Sequence, residues 1–96
     1  MLTFTQDPQA KLDYALDWRQ WLGSDHIASF TFAVNPVVPL TGLTVASSPA
    51  PDEEGGVVTF WLQGGAEEEV YEVTCRIVTE GGRTDDRTIG IKIKQR

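Results

Sequence analysis

The 96-residue chain holds one cysteine (Cys75), one histidine (His26) and one methionine. A single thiol closes no internal disulfide, and with a lone histidine it leaves no cysteine-based zinc site. Basic residues are scarce as well: 8 lysines and arginines stand against 14 acids, for a net charge of −6. Phosphate binding needs a positive surface, so nucleic acid is not an expected partner. No apolar run approaches the roughly 18 residues of a membrane span, and no basic-then-apolar leader suggests a secretory signal. Neither a membrane nor a cofactor is implied. What is present suits a single domain over residues 1–96, with residues 1–10 expected as an extended N-terminal arm. An apolar share of 41% supplies one core, provided nearly every large apolar side chain faces inward.

The charge is unevenly spread. Residues 1–75 carry 11 acids and 2 bases, a net of −9, whereas residues 76–96 carry 6 bases and 3 acids, a net of +3. Such a dipolar chain can orient against charged neighbours, although solvated surface charge is the plainer explanation of the pattern.

Alternation dominates the apolar pattern. Leu12, Tyr14, Leu16 and Trp18 share one face of a strand, with Asp13, Ala15 and Asp17 on the other. Arg19-Gln20-Trp21-Leu22 breaks that period and reads as a helical turn. A second strand runs over 27–34, with Ala28, Phe30, Phe32 and Val34 on one face, stopped by Asn35-Pro36 and Pro39. Short strands follow over 43–46 and 57–62, separated by a surface loop, 47–56, rich in proline, glycine and acid. Residues 70–79 place Tyr71, Val73, Cys75 and Ile77 on one face, and 84–94 place Ile89, Ile91 and Ile93 inward with Lys92 and Lys94 outward. Those lysines read as protection of an exposed edge. Six to seven short strands without a long helix predict an all-β, antiparallel sandwich of the immunoglobulin or fibronectin III type. Tyr71 stands where a tyrosine corner would pin the crossover between sheets. Trp18 extends an alternating core face, and Trp61 is the alternative core tryptophan, although it faces away from Val58, Phe60 and Leu62.

Catalytic and metal chemistry find no constellation. Asp52-Glu53-Glu54 and Glu67-Glu68-Glu69 lack the spacing that wraps calcium, and Asp13 and Asp17 lie on a plain strand face with no room for a sugar cleft. Cys75 reads as a small buried hydrophobe, and Gly64-Gly65 and Gly81-Gly82 are hairpin glycines without the lysine of a phosphate loop. No catalytic, cofactor-binding or metal residue is assigned, and an enzyme is not expected. Two groups suit an interface instead. Trp21 falls beyond the strand alternation, and exposed tryptophan marks contact surfaces. Arg83-Thr84-Asp85-Asp86-Arg87 offers Arg83, Asp85, Asp86 and Arg87, whose forks and acids could pair across an interface or with one another on a hairpin tip.

The ordered set of motifs also resembles a known family. Asp7-Pro8, Leu12 to Trp18 with Trp21-Leu22, and Ile27-Ala28-Ser29 are similar to the opening of the small bacteriophage fiber-tail adaptor proteins. Thr59 to Gly65, Tyr71-Glu72-Val73-Thr74 and Gly82 to Arg87 continue the likeness over nearly the whole chain. The sequence departs from the family's pattern at Glu67-Glu68-Glu69, where small or polar residues are expected, and at Cys75. The resemblance implies a non-enzymatic virion component of the tail, made in the host cytoplasm, that docks a fiber or neighbouring tail protein onto the tail or connector. Its implied partners are other tail, connector or fiber proteins, met in multiple copies in a symmetric assembly. A capsid or head-to-tail decoration protein of the same fold is the alternative reading. So is a carbohydrate-binding module, which would need its tryptophans aligned on one exposed face.

Overall fold

Strict alternation over Val70–Thr79 (β7) buries Tyr71, Val73, Cys75, Ile77 and Thr79 and turns the intervening residues outward. Thr84–Ile93 (β8) pairs with it antiparallel and contributes Ile89, Ile91 and Ile93 to the same side. In this computed structural model, which describes residues 2–36 and 42–95, two four-stranded sheets enclose that face. One sheet runs Leu2–Gln6 (β1), β8, β7 and Ile27–Asn35 (β3) in that order. The other centres on Val57–Gly64 (β6), flanked on one side by Lys11–Asp17 (β2) and on the other by Leu43–Val45 (β4) and Asp52–Glu54 (β5). The β-sandwich expected from the alternation is therefore the fold.

Burial across the interior is continuous. Val58, Phe60 and Leu62 of β6 share one core with Val73, Ile77, Ile91 and their neighbours, and the Phe60 ring meets Phe32 in a tilted contact at 4.8 Å and stacks with Tyr14 at 6.1 Å. Each such side chain contributes about 1.5–3 kcal/mol by leaving water. Trp18 is the core tryptophan, with no exposed surface, whereas Trp61 points to the opposite side of β6 and is half-buried. Tyr71 makes the tyrosine corner: its hydroxyl accepts a hydrogen bond from the Ala66 N–H at 2.9 Å. The helical turn forms at Arg19–Leu22 (α1).

Several details differ from the alternation. Residues 2–6, expected in an extended arm, form β1, which pairs parallel to β8 from Leu2↔Ile89 to Gln6↔Ile93, so one pair of the sandwich is not antiparallel. That pairing makes β8 an interior strand. Lys92 therefore guards no edge and instead lies 3.7 Å from Glu68. Part of the 47–56 loop is β5, which occupies the ladder that β6 would otherwise leave open. Ala28 is exposed because the β3–β7 register shifts between Ile27 and Ser29, and the extra residue leaves the inward row to Phe30, Phe32 and Val34. Pro39 lies outside the described residues.

Candidate interface at the hairpin end

The β7–β8 hairpin delivers most of the sequence-derived candidates. Its turn closes through Thr79, whose N–H donates to Arg83 O at 2.8 Å and whose hydroxyl accepts from the Arg83 N–H at 2.9 Å. Gly82 sits in that turn at φ 85°, a left-handed conformation that other residues adopt at a cost. Beyond the turn, strand alternation aims Asp85 and Arg87 toward the interior side and Asp86 outward.

Arg83 and Trp21, separate candidates in the sequence, come together. The guanidinium lies 4.2 Å from the centroid of the Trp21 ring, close enough for a cation–π contact. It also donates to the carbonyls of Trp21 and Leu22, at 3.3 and 2.9 Å, and to Asp25 Oδ2 at 3.1 Å. A helix of four residues leaves its last carbonyls without intrahelical partners, and Arg83 satisfies two of them. Asp25 completes the latch by accepting from the His26 and Gly81 N–H groups through Oδ1. The Thr79 hydroxyl, those backbone donors and Arg83 together hold the Asp25 carboxyl well below the usual carboxylate range.

Asp85 and Arg87 serve Trp18. The indole Nε1–H donates to Asp85 Oδ2 at 2.9 Å, which removes the cost of burying that donor. The Arg87 guanidinium covers the same ring at 4.8 Å, approaches Asp85 at 3.8 Å and donates to the Asp17 carbonyl. Asp86, on the other face, takes a bidentate pair from Arg76 directly across the ladder, at 2.7 and 2.9 Å. The five candidates thus divide into a latch on α1, a seal on Trp18 and an outward ion pair. Arg83 keeps the most surface of the first two groups, its side chain 44% exposed, while Trp21, Asp85 and Arg87 are half-buried.

Reactive chemistry is weakly supplied. Cys75 is fully buried, and burial, aided by the nearby Asp86 charge, pushes its thiol up to about 12. Such a thiol stays protonated and unreactive at neutral pH. Among the described residues no group of three or more His, Cys, Asp or Glu side chains could hold a metal ion. The tryptophans do not form a planar platform, since one is interior, one lies under Arg83 and one is half-buried on β6.

The sequence reading did not single out a second surface. Leu2, Phe4 and Leu12 are large apolar residues left exposed, all on the side where β1 and β2 end their sheets. The signal lay in Leu2-Thr3-Phe4-Thr5-Gln6, whose alternation is that of a strand.

Comparison with known proteins places these features in context. The family model described as "Podophage GP4 fiber-tail adaptor protein gp77" matches residues 6–92. No curated protein matches the chain. Among solved structures, the PKD domain from KIAA 1837 protein, determined in solution, is similar with a TM-score of 0.55 at 14% identity, covering 98% of this chain and 79% of that one. At that identity the likeness speaks for the immunoglobulin-like fold alone.

Proposed function

The chain belongs to the podophage fiber-tail adaptor family, a structural family of phage tails, and on that premise we propose that it docks a fiber or neighbouring tail protein onto the tail or connector. The observation that carries this reading is the family match, which spans residues 6–92 of 96 rather than one motif. The architecture is compatible with it. A sandwich sealed by its own side chains offers loop ends and strand edges for contact, and its one thiol is buried. The protein acts in the virion tail, by binding, in several copies around a symmetric assembly.

An adaptor needs at least two contact surfaces, and the hairpin end is one of them. Arg83 is already fixed by Trp21, Leu22 and Asp25, so little side-chain freedom is lost when a partner covers it. Deleting the gene tests the reading. Particles lacking fibers in electron micrographs, restored by supplying the gene in trans, are the expected result. Infectious, fiber-bearing particles without the protein would falsify it.

A further inference from the structure

β1 and β2 each end a sheet, and they border one open side of the sandwich. The two strands are tied across that side by the Phe4–Tyr14 ring contact at 5.3 Å and by the Tyr14 hydroxyl donating to Gln6 Oε1 at 2.7 Å. Between them runs a groove of about 390 Å³, lined chiefly by Leu2, Phe4, Tyr14, Leu16 and Ile89, with Asp13 beside them. Leu2 is 70% exposed and Phe4 39%, although both stand in the alternating row that ends in the fully buried Gln6. Exposed strand edges are ordinarily guarded by charge, proline or a bulge, and Leu2-Thr3-Phe4-Thr5-Gln6 has none of these.

Among the described residues, none pairs with the outer edge of β1. The Lys94 N–H donates to Gln6 O, which turns the Gln6 peptide groups toward β8. Alternation along a strand then turns those of Thr3 and Thr5 away from β8, toward the free edge. Apolar side chains in a groove beside unused ladder groups are the requirements for receiving one more strand.

We propose that this seam receives an extended strand from another tail or fiber protein, which pairs with β1, fills the groove with alternate apolar side chains and sets a basic residue opposite Asp13. The identity of the donor rests on the adaptor reading; its chemistry rests on charge. Asp13 makes no ion pair among the described residues, and residues 1–75 carry a net −9. A second copy of this chain related by a two-fold axis would set two chains of net charge −6 and their Asp13 carboxylates against one another. A basic, alternating strand meets no such repulsion.

The test uses assembled particles. A photo-crosslinking phenylalanine derivative in place of Leu2 is expected to join a tail or fiber protein within a segment that alternates apolar residues with lysine or arginine. The same group in place of Thr31, on the far edge strand β3, should leave that segment unlabelled. Two variants add a functional readout. Thr3→Pro removes an edge donor without touching the β8 ladder, and Asp13→Lys reverses the charge. Both are expected to keep the wild-type circular dichroism spectrum yet lower the number of fibers per particle at least tenfold. A Leu2 crosslink to a second copy of this chain, to an acidic segment or to nothing overturns the proposal. Full fiber numbers with Asp13→Lys overturn it too, whether or not Thr3→Pro folds. If deletion of the gene strips fibers while these variants keep them, the seam assignment fails and the adaptor reading stands; if deletion leaves fibers in place, the adaptor reading itself fails.

Discussion

At the level of single residues, buried polar groups are the most exacting feature of this sandwich. Gln6 is fully buried and nevertheless satisfied: its amide donates to Leu62 O at 2.9 Å and Ala10 O at 3.3 Å, and its carbonyl accepts from Tyr14. These bonds join β1 to both strands of the opposite sheet that it faces. Gln6→Ala would strand the Tyr14 hydroxyl and the Leu62 carbonyl and leave a cavity. A loss of about 2–4 kcal/mol is expected in urea unfolding, because an unpartnered buried polar group costs roughly 1–3 kcal/mol and cavity formation adds to it. Cys75 gives the contrasting case. Its thiol needs no partner, so Cys75→Ser should cost about 1–3 kcal/mol through a hydroxyl buried among apolar neighbours. The native thiol should label slowly with maleimide and quickly in denaturant; rapid labelling of the folded protein would contradict the burial of its strand face.

At the level of elements, α1 shows how a segment too short to stand alone is held. Four residues cannot nucleate a stable helix in water. Trp18 and Gly56 fix the entry, through the Trp18 N–H donating to Gly56 O at 2.9 Å, and Arg83 holds the exit. Gly56 stands at φ 95°, a left-handed conformation that favours glycine, and a Cβ there would also press on Leu22 Cδ1 at 2.9 Å. Arg83→Ala should therefore do more than a plain surface substitution. A destabilisation of about 1 kcal/mol is expected after discounting for solvent exposure, with faster amide exchange confined to residues 21–25. Unchanged exchange there would mean that the latch is idle. The sequence made β7 legible because Tyr71 to Ile77 alternate apolar and polar without interruption, and Leu12 to Trp18 and Ile89 to Ile93 follow the same period. β1 alternates too, over Leu2 to Gln6, but so short a run at the start of the chain reads as an arm until its ladder with β8 is seen, and the Asp-Glu-Glu run of β5 looks like loop charge until the open edge of β6 is considered. The site behaved likewise. Residue types suited to an interface could be read, but not that Arg83 would spend its fork on carbonyls 61 and 62 residues away.

For the molecule as a whole, stability should depend on pH in a way set by groups at its two extremes. Asp17 is drawn down to about 2, mainly by hydrogen bonds from the Arg19 side chain and backbone, and Asp25 and Asp86 are also lowered, the first chiefly by Thr79 and the second by Arg76. A carboxylate with a depressed folded pKa binds its proton more readily in the unfolded chain. Its contribution is therefore present above the ordinary carboxylate value of 3.8 and is lost as pH falls toward the folded value. At the other extreme, burial raises Tyr14 above its usual 10.0 and Cys75 from 9.0 to about 12. For these acids the folded state favours the neutral form, so their contribution is full below the unfolded pKa and declines as pH rises through 9 and beyond. Melting temperature should thus stay nearly level from about pH 5 to pH 8, fall progressively below about pH 4 and fall again above about pH 9. Cys75→Ala separates the alkaline arm into its parts, since the decline should then begin only where a tyrosine of the unfolded chain ionises, at the ordinary 10.0. The acidic arm should shrink when Asp25→Asn and Arg76→Gln remove two of the three depressed carboxylates' environments, at a lower melting temperature near neutrality. A profile that climbs on acidification through pH 4 would show that these carboxylates repel their surroundings in the folded state rather than being held by them, and the assignment of the Asp25 latch would fall with it.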